Sequence, residues 1–80
     1  MPSGPQIRAA RAVLDISAAE LAARAGVTSK TIQRFEGVEG IPVNRAGTLD
    51  RVRAALEAEG IEFIGDPVTS PGVRLHRKRD

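Results

Sequence analysis

Two helix-start signals follow each other closely in the stretch "DISAAELAARAGVTSKTIQRFE", with a glycine between them. Ser17 and Glu20 have the spacing of a capping box, in which each side chain bonds a backbone N–H of the other residue. Thr28 can cap a second helix, and Gly26 is a natural left-handed end for the first. The stretch therefore predicts two short helices joined by a tight turn, over about residues 18–25 and 29–36.

Apolar residues flank both caps at the spacing of a hydrophobic staple. Ile16 and Leu21 flank the first cap, and Val27 and Ile32 flank the second. In a staple the two side chains pack on each other and fix the angle at which the chain enters the helix. Two short helices joined through a glycine turn have the layout of a helix-turn-helix.

Periodicity and punctuation predict the other elements. Pro5 suits the first turn of a helix, and apolar residues recur at helical spacing after it and again after the Gly- and Pro-containing segment 37–47. The pattern then changes to the alternation of strands, in two runs separated by a link rich in proline and glycine. These signals add helices over about 5–14 and 47–59 and strands over 61–64 and 73–76.

We therefore predict a mainly α fold. A four-helix helix-turn-helix domain occupies residues 1–60, a β-hairpin follows at 61–76, and a basic tail ends the chain at 77–80. The chain after Gly60 is not needed for the four helices, so truncation there is expected to leave a helical monomer.

Size and composition limit the function classes. The chain has 80 residues, no cysteine, one histidine and a formal net charge of +2. A chain this short buries a limited core, its carboxylates are scattered over helices, and no zinc ligand set is present, so we expect no enzyme, cofactor or metal site. No apolar run approaches the roughly 18 residues of a membrane span, and the start lacks a signal-peptide core. We expect a soluble cytoplasmic protein.

One face of the predicted third helix carries hydrogen-bonding side chains, those of Ser29, Lys30, Gln33 and Arg34. In a helix-turn-helix, the N-terminal end of the second helix enters the DNA major groove. There Gln can bond adenine bidentately, Arg or Lys can bond guanine, and Ser can bond several bases. The pattern therefore predicts base contacts by these four residues, and a polar face that meets only water is the alternative.

The same residues resemble a known family. "SAAELAARAGVTSKTIQRFEGVEG" is similar to the helix-turn-helix of the XRE group, the Cro and phage-repressor type of transcriptional regulators. The similarity covers about residues 5–60, with the pattern Glu-Leu-Ala, then Ala-Gly-Val, then Thr-Ile, then Glu. The ending "EAEGIEFI…PGVRL" resembles short bacterial regulators of this type, which carry a strand-forming tail after the fourth helix.

The resemblance implies roles by position. The four polar residues of the third helix match its base-facing positions. Thr28 matches a cap that contacts phosphate, Arg45 matches a basic position that touches the DNA backbone or minor groove, and Ser17 is placed with them as a backbone contact. Arg11 and Glu36 match a structural ion pair between helices 1 and 3, for which plain surface charge is the alternative.

The strand-forming tail predicts assembly. Ile61 and Phe63 share one strand face, and Val73 and Leu75 share another. A lone two-stranded hairpin is marginal in water, so it must pack on its own helices or extend a sheet with another chain. The second option supplies the homodimer with which a helix-turn-helix repressor reads two half-sites, and these four residues are the predicted dimerisation element.

Three functions follow from these patterns. The leading prediction is a sequence-specific regulator of transcription, most simply a repressor that binds double-stranded DNA as a homodimer, with no small-molecule effector evident. The alternatives are the antitoxin of a toxin–antitoxin pair and a protein-interaction module that has lost DNA binding. Ala18 supports the last, because family members often have a phosphate-contacting Gln there. Arg77, Lys78 and Arg79 either add phosphate contacts or form a disordered end.

Overall fold

The helices begin and end close to their local sequence signals. In a computed structural model, which describes residues 1–45 and 47–77, four α-helices precede a two-stranded antiparallel sheet. They are α1 (Gly4–Leu14), α2 (Ala18–Ala25), α3 (Ser29–Glu36), α4 (Thr48–Ala58), β1 (Ile61–Ile64) and β2 (Gly72–Leu75). The predicted fold class is confirmed, with every predicted boundary within one residue of the observed one. Lys78 and Arg79, predicted for the basic tail, lie outside the described residues.

Side-chain caps account for three helix starts. The Ser17 hydroxyl accepts from the Glu20 N–H, and the Glu20 carboxylate accepts from the Ser17 N–H, both at 3.0 Å. Thr28 Oγ1 accepts from the Thr31 N–H at 3.2 Å. A further capping box, formed by Ser3 and Gln6, begins α1 one residue earlier than Pro5 predicted. The Ser-x-x-Gln spacing of this capping box is present in the sequence and could have predicted the start of α1.

One hydrophobic core joins the helices to the hairpin. Phe35 is its largest fully buried side chain, and Ile61 of β1 is buried in the same cluster. Phe63, Val73 and Leu75 pack against that cluster. Because the register places Ile61 opposite Leu75 and Phe63 opposite Val73, all four side chains lie on one face of the hairpin. This apolar face therefore packs on the same core as the helices, and the expectation that truncation after Gly60 leaves a helical monomer stays a prediction.

Gln6 fixes the hairpin to α1. Its side chain is buried, and Nε2 donates to the carbonyl oxygens of Ile64 at 3.2 Å and Gly72 at 3.0 Å. Oε1 accepts from the Ser3 N–H at 3.1 Å. Both polar atoms of the buried amide therefore have partners, as burial of such a group requires. The sheet is held at a defined position by hydrogen bonds as well as by apolar contact.

Asp15 ends α1 in a strained conformation. Its backbone is left-handed, at φ 56° and ψ 45°, so that the Ile16 N–H can bond the Arg11 carbonyl at 3.2 Å. We expect Asp15→Gly to be more stable than Asp15→Ala by about 1 kcal/mol, because both variants lose the carboxylate but only glycine relieves the left-handed strain. Urea denaturation measures the difference. Equal stability of the two variants would show that this helix end carries no strain.

Candidate nucleic-acid interface

The exposed face of α3 follows from helical spacing. Ile32, Phe35 and Glu36 recur at i, i+3 and i+4 and are buried. The side chains two residues earlier in each case, Lys30, Gln33 and Arg34, are exposed on the other side. Of the four predicted base-contacting residues, only Ser29 is half-buried. The structure therefore leaves three of them on one accessible helix face.

Two shallow concavities adjoin this face. The first is lined by Thr28, Lys30, Thr31, Gln33 and Arg34. The second lies between α3 and the loop before α4 and is lined by Thr31, Arg34, Val43, Asn44, Arg45 and Thr48. Thr31 lies in both, although the sequence patterns did not single it out. Thr31 precedes Arg34 by one helical turn and lies between the apolar positions of α3. This spacing could have indicated that Thr31 lies at the edge of the exposed face.

The charge on this surface has one sign. Lys30, Arg34 and Arg45 are exposed on it, and none of the described residues that line the two concavities is acidic. The one carboxylate in the α3 sequence, that of Glu36, is turned into the protein. The α3 surface can therefore attract a polyanion, although the net charge of the whole chain is only +2.

The loop before α4 is tied to both neighbouring helices. Arg34 Nη1 donates to the Val43 carbonyl at 3.1 Å, and the guanidinium carbon lies 4.9 Å from the centroid of the Phe35 ring. On the other side, Asn44 Oδ1 accepts from the Leu49 N–H in the first turn of α4 at 3.1 Å. These bonds hold the exposed Arg45 beside α3, where a duplex that contacts α3 would meet it.

The two cap residues predicted to contact phosphate are both hydrogen-bonded within their own helix starts. The Thr28 hydroxyl donates to Thr31 Oγ1 at 3.1 Å, so a phosphate would have to displace that bond. The Ser17 hydroxyl accepts from the Glu20 N–H at 3.0 Å. Hydrogen bonds from the Ser17 backbone and side chain lower the pKa of the adjacent Glu20 carboxyl. Glu20 is therefore ionised at neutral pH, and its charge opposes a phosphate at this helix end.

A bidentate ion pair ties α1 to the end of α3. Arg11 Nε lies 2.7 Å from one Glu36 carboxylate oxygen, and Nη2 lies 2.9 Å from the other. Glu36 is 8% exposed, and its hydrogen bond to Arg11 raises the pKa of the guanidinium. Arg11 also donates to the Ile16 carbonyl at 3.1 Å, and Arg8 donates to the Glu36 backbone carbonyl. The two residues predicted to pair are therefore together, at the junction of α1, α2 and α3.

The predicted dimerisation residues have their side chains turned inward. The hydrogen bond from the His76 N–H to the Gly60 carbonyl sets the pairing pattern of the hairpin. In that pattern the backbone groups of alternate residues point away from the partner strand. Those residues are Ile61, Phe63, Val73 and Leu75. A dimer formed through the hairpin would therefore use its strand edges or its outer face, because the side chains of these four residues face their own helices.

The outer face of the hairpin is charged. Glu62 Oε1 lies 2.6 Å from His76 Nε2 and 3.5 Å from Arg74 Nη1. The hydrogen bond with His76 is the main cause of a lowered pKa at the Glu62 carboxyl. His76 is exposed and directly follows β2. Its partner was not predicted, because it depends on the register of the two strands.

The chain matches no protein-family model, and a search of curated proteins finds no relative. No helix in the described residues is long and apolar enough to cross a membrane. Over the same part of the chain, no group of three His, Cys, Asp or Glu residues is arranged to hold a metal ion. The function therefore has to be argued from the geometry of the α3 surface.

Proposed function

We propose that this chain is a sequence-specific DNA-binding regulator of transcription that acts in the cytoplasm, most simply as a bacterial repressor. The observation that carries the proposal is the exposure of Lys30, Gln33 and Arg34 together on α3, the second helix of a pair joined by a short turn. Arg45 adds positive charge beside them. Residues of these types suit major-groove recognition.

The diameter of an α-helix such as α3 suits the width of the major groove. With its side chains an α-helix is about 10–12 Å across, and the groove is about 12 Å wide. Lys30 and Gln33 are three residues, or about 4.5 Å, apart along the helix. Successive base pairs are about 3.4 Å apart, so the two side chains can reach neighbouring base pairs.

A homodimer supplies the second half of the recognition site. One helix of this length reads only a few base pairs, and a two-fold operator places its half-sites about 34 Å apart. The described residues measure 37 × 29 × 19 Å, so two chains side by side have dimensions that suit this separation. The edges of the hairpin offer backbone groups for pairing, and two-fold symmetry would make each chain present the same edge.

A protein-interaction module is the second candidate, and the start of α2 is the feature that favours it. Ala18 provides no polar side chain there, and ionised Glu20 opposes a phosphate. If DNA binding has been lost, the α3 face would still be basic but would bind DNA without preference. The two candidates are therefore distinguished by whether the protein prefers particular DNA sequences, and not by whether it binds DNA at all.

An electrophoretic shift assay on the DNA upstream of the protein's own coding sequence tests the proposal. We expect Gln33→Ala to cost about 1–3 kcal/mol of binding free energy on the preferred site and to relax the preference at one base pair. The control is Ser70→Ala, which removes an exposed hydroxyl from the hairpin turn and should leave both affinity and preference unchanged. Equal losses on the preferred site and on random DNA would show that Gln33 contacts only the backbone.

A further inference from the structure

Arg34 differs from its neighbours on the α3 face. Lys30 and Gln33 make no side-chain hydrogen bond within the described residues, whereas Arg34 donates to the Val43 carbonyl at 3.1 Å. Its guanidinium also lies over the edge of the core, 4.9 Å from the Phe35 ring centroid. Two side chains are thus free to meet a ligand, and the third is already engaged by its own chain.

The bond from Arg34 is the anchor of the loop on the α3 side. In the part of the chain that the structure describes, it is the one side-chain hydrogen bond from α3 to residues 41–45. Pro42 is buried near the start of the loop, whereas Val43 is 87% exposed and supplies no packing that could hold the part of the loop after Pro42. On the α4 side the loop has three further bonds: the Leu49 N–H donates to Asn44, and both the N–H and the hydroxyl of Thr48 donate to the Arg45 carbonyl.

We propose that Arg34 is a positioning residue, which fixes the loop 41–45 against α3 so that Arg45 meets the same DNA as α3, and that it does not read a base. The inference rests on the proposed DNA binding. The Val43 carbonyl oxygen would repel phosphate if it faced the duplex without a partner. Arg34 donates one N–H to this oxygen, and its guanidinium remains charged. The other N–H groups of the guanidinium stay able to donate to a phosphate oxygen.

The first experiment measures the binding of Arg34→Ala, Arg45→Ala and the double variant to the preferred DNA and to a set of its single-base-pair changes. We expect Arg34→Ala to lower affinity by a similar factor on every DNA of the set and to keep their rank order, because phosphate contacts carry no sequence information. In the Arg34→Ala background, Arg45→Ala should cost at least about threefold less affinity than in the wild type, because coupled residues are not additive. Arg34→Lys should restore most of the affinity, because an ammonium can also donate to the Val43 carbonyl.

Two results of this experiment would overturn the proposal. One is a loss of preference confined to a single base pair in Arg34→Ala, which would make Arg34 a base reader. The other is full additivity of the Arg34 and Arg45 substitutions, which would mean that Arg34 does not act through the loop.

A second measurement separates this proposal from the DNA-binding proposal. Backbone ¹⁵N relaxation of the free protein reports the order of residues 43–45 without any DNA. We expect their order parameters to fall in Arg34→Ala and to recover in Arg34→Lys, and unchanged values in Arg34→Ala would overturn the positioning role. If the wild type shows no sequence preference on any DNA, the proposed function fails, while the relaxation data still decide whether Arg34 holds the loop.

Discussion

Replacing Gly4 with alanine is expected to destabilise the fold by about 3 kcal/mol or more, at or above the upper end for overpacked sites. A Cβ at this position would lie 2.0 Å from the Val38 carbonyl oxygen and 2.6 Å from that of Phe35. Both atoms belong to the backbone, so no side-chain rotation can relieve the contact. The start of α1 would have to move away from the end of α3.

The hydrogen-bond partner of Gly4 provides a matched control. The Gly4 N–H donates to the Gly40 carbonyl at 3.0 Å, and a Cβ at Gly40 would meet none of the described atoms within 4 Å. Gly40→Ala should therefore unfold in urea almost as the wild type does. A domain of this length has a total stability of about 4–12 kcal/mol, so the predicted loss in Gly4→Ala is a large fraction of it. Superimposable unfolding curves for the two variants would contradict the close approach of α1 to α3.

Arg11→Ala is the second substitution with a large expected effect. It leaves the Glu36 carboxylate unpaired in a site where Glu36 is 8% exposed, and it removes a donor from the Ile16 carbonyl. Loss of one partner of a buried pair costs about 3–5 kcal/mol. Because the Arg11 side chain is 28% exposed, we expect a loss near the lower limit, about 3 kcal/mol.

Thermal and urea unfolding measure this loss against an exposed pair on the same protein. Arg74 lies 3.5 Å from Glu62 with more than half of its side chain exposed, so Arg74→Ala should cost under about 1 kcal/mol. The double variant Arg11→Ala, Glu36→Ala should be less destabilised than the sum of the two single variants, because no charge is then left buried alone. An Arg11→Ala protein that melts like Arg74→Ala would place the pair in the solvent.

Local signals made the helices predictable. The cap at Ser17, the cap at Thr28 and the left-handed Gly26 each act over three or four residues, and the observed limits of α2 and α3 are those predicted. The box at Ser3 and Gln6, which begins α1 one residue earlier than predicted, was missed. Its spacing carries the same information.

Long-range contacts were not predictable in this way. Gln6 bonds carbonyl groups that lie 58 and 66 residues away along the chain, and nothing near Gln6 in the sequence indicates them. Strand alternation predicted the hairpin, but it could not predict which surface would cover the apolar face. In the protein this face completes the core of its own chain.

The exposed face of the candidate site was predictable from the sequence, but the contacts of the neighbouring loop were not. The apolar positions of α3 predict which side is buried, and therefore which polar residues are exposed. The bonds from Arg34 to the Val43 carbonyl and from the Leu49 N–H to Asn44 were not predicted, because both depend on the path of a loop without periodic structure. Helix periodicity thus predicts which residues of α3 are exposed, whereas the position of the loop beside them depends on the tertiary fold.

The most direct test of the central claim is selection of binding sites by the full 80-residue chain from a pool of random duplex DNA. We predict enrichment of a two-fold symmetric sequence whose half-sites lie about 34 Å, one turn of the duplex, apart. Affinity for that sequence should fall by orders of magnitude between about 50 and 200 mM salt, as release of counterions from several phosphate contacts requires. A pool that shows no enriched sequence after repeated rounds, although the protein is folded, would contradict the claim that α3 reads DNA.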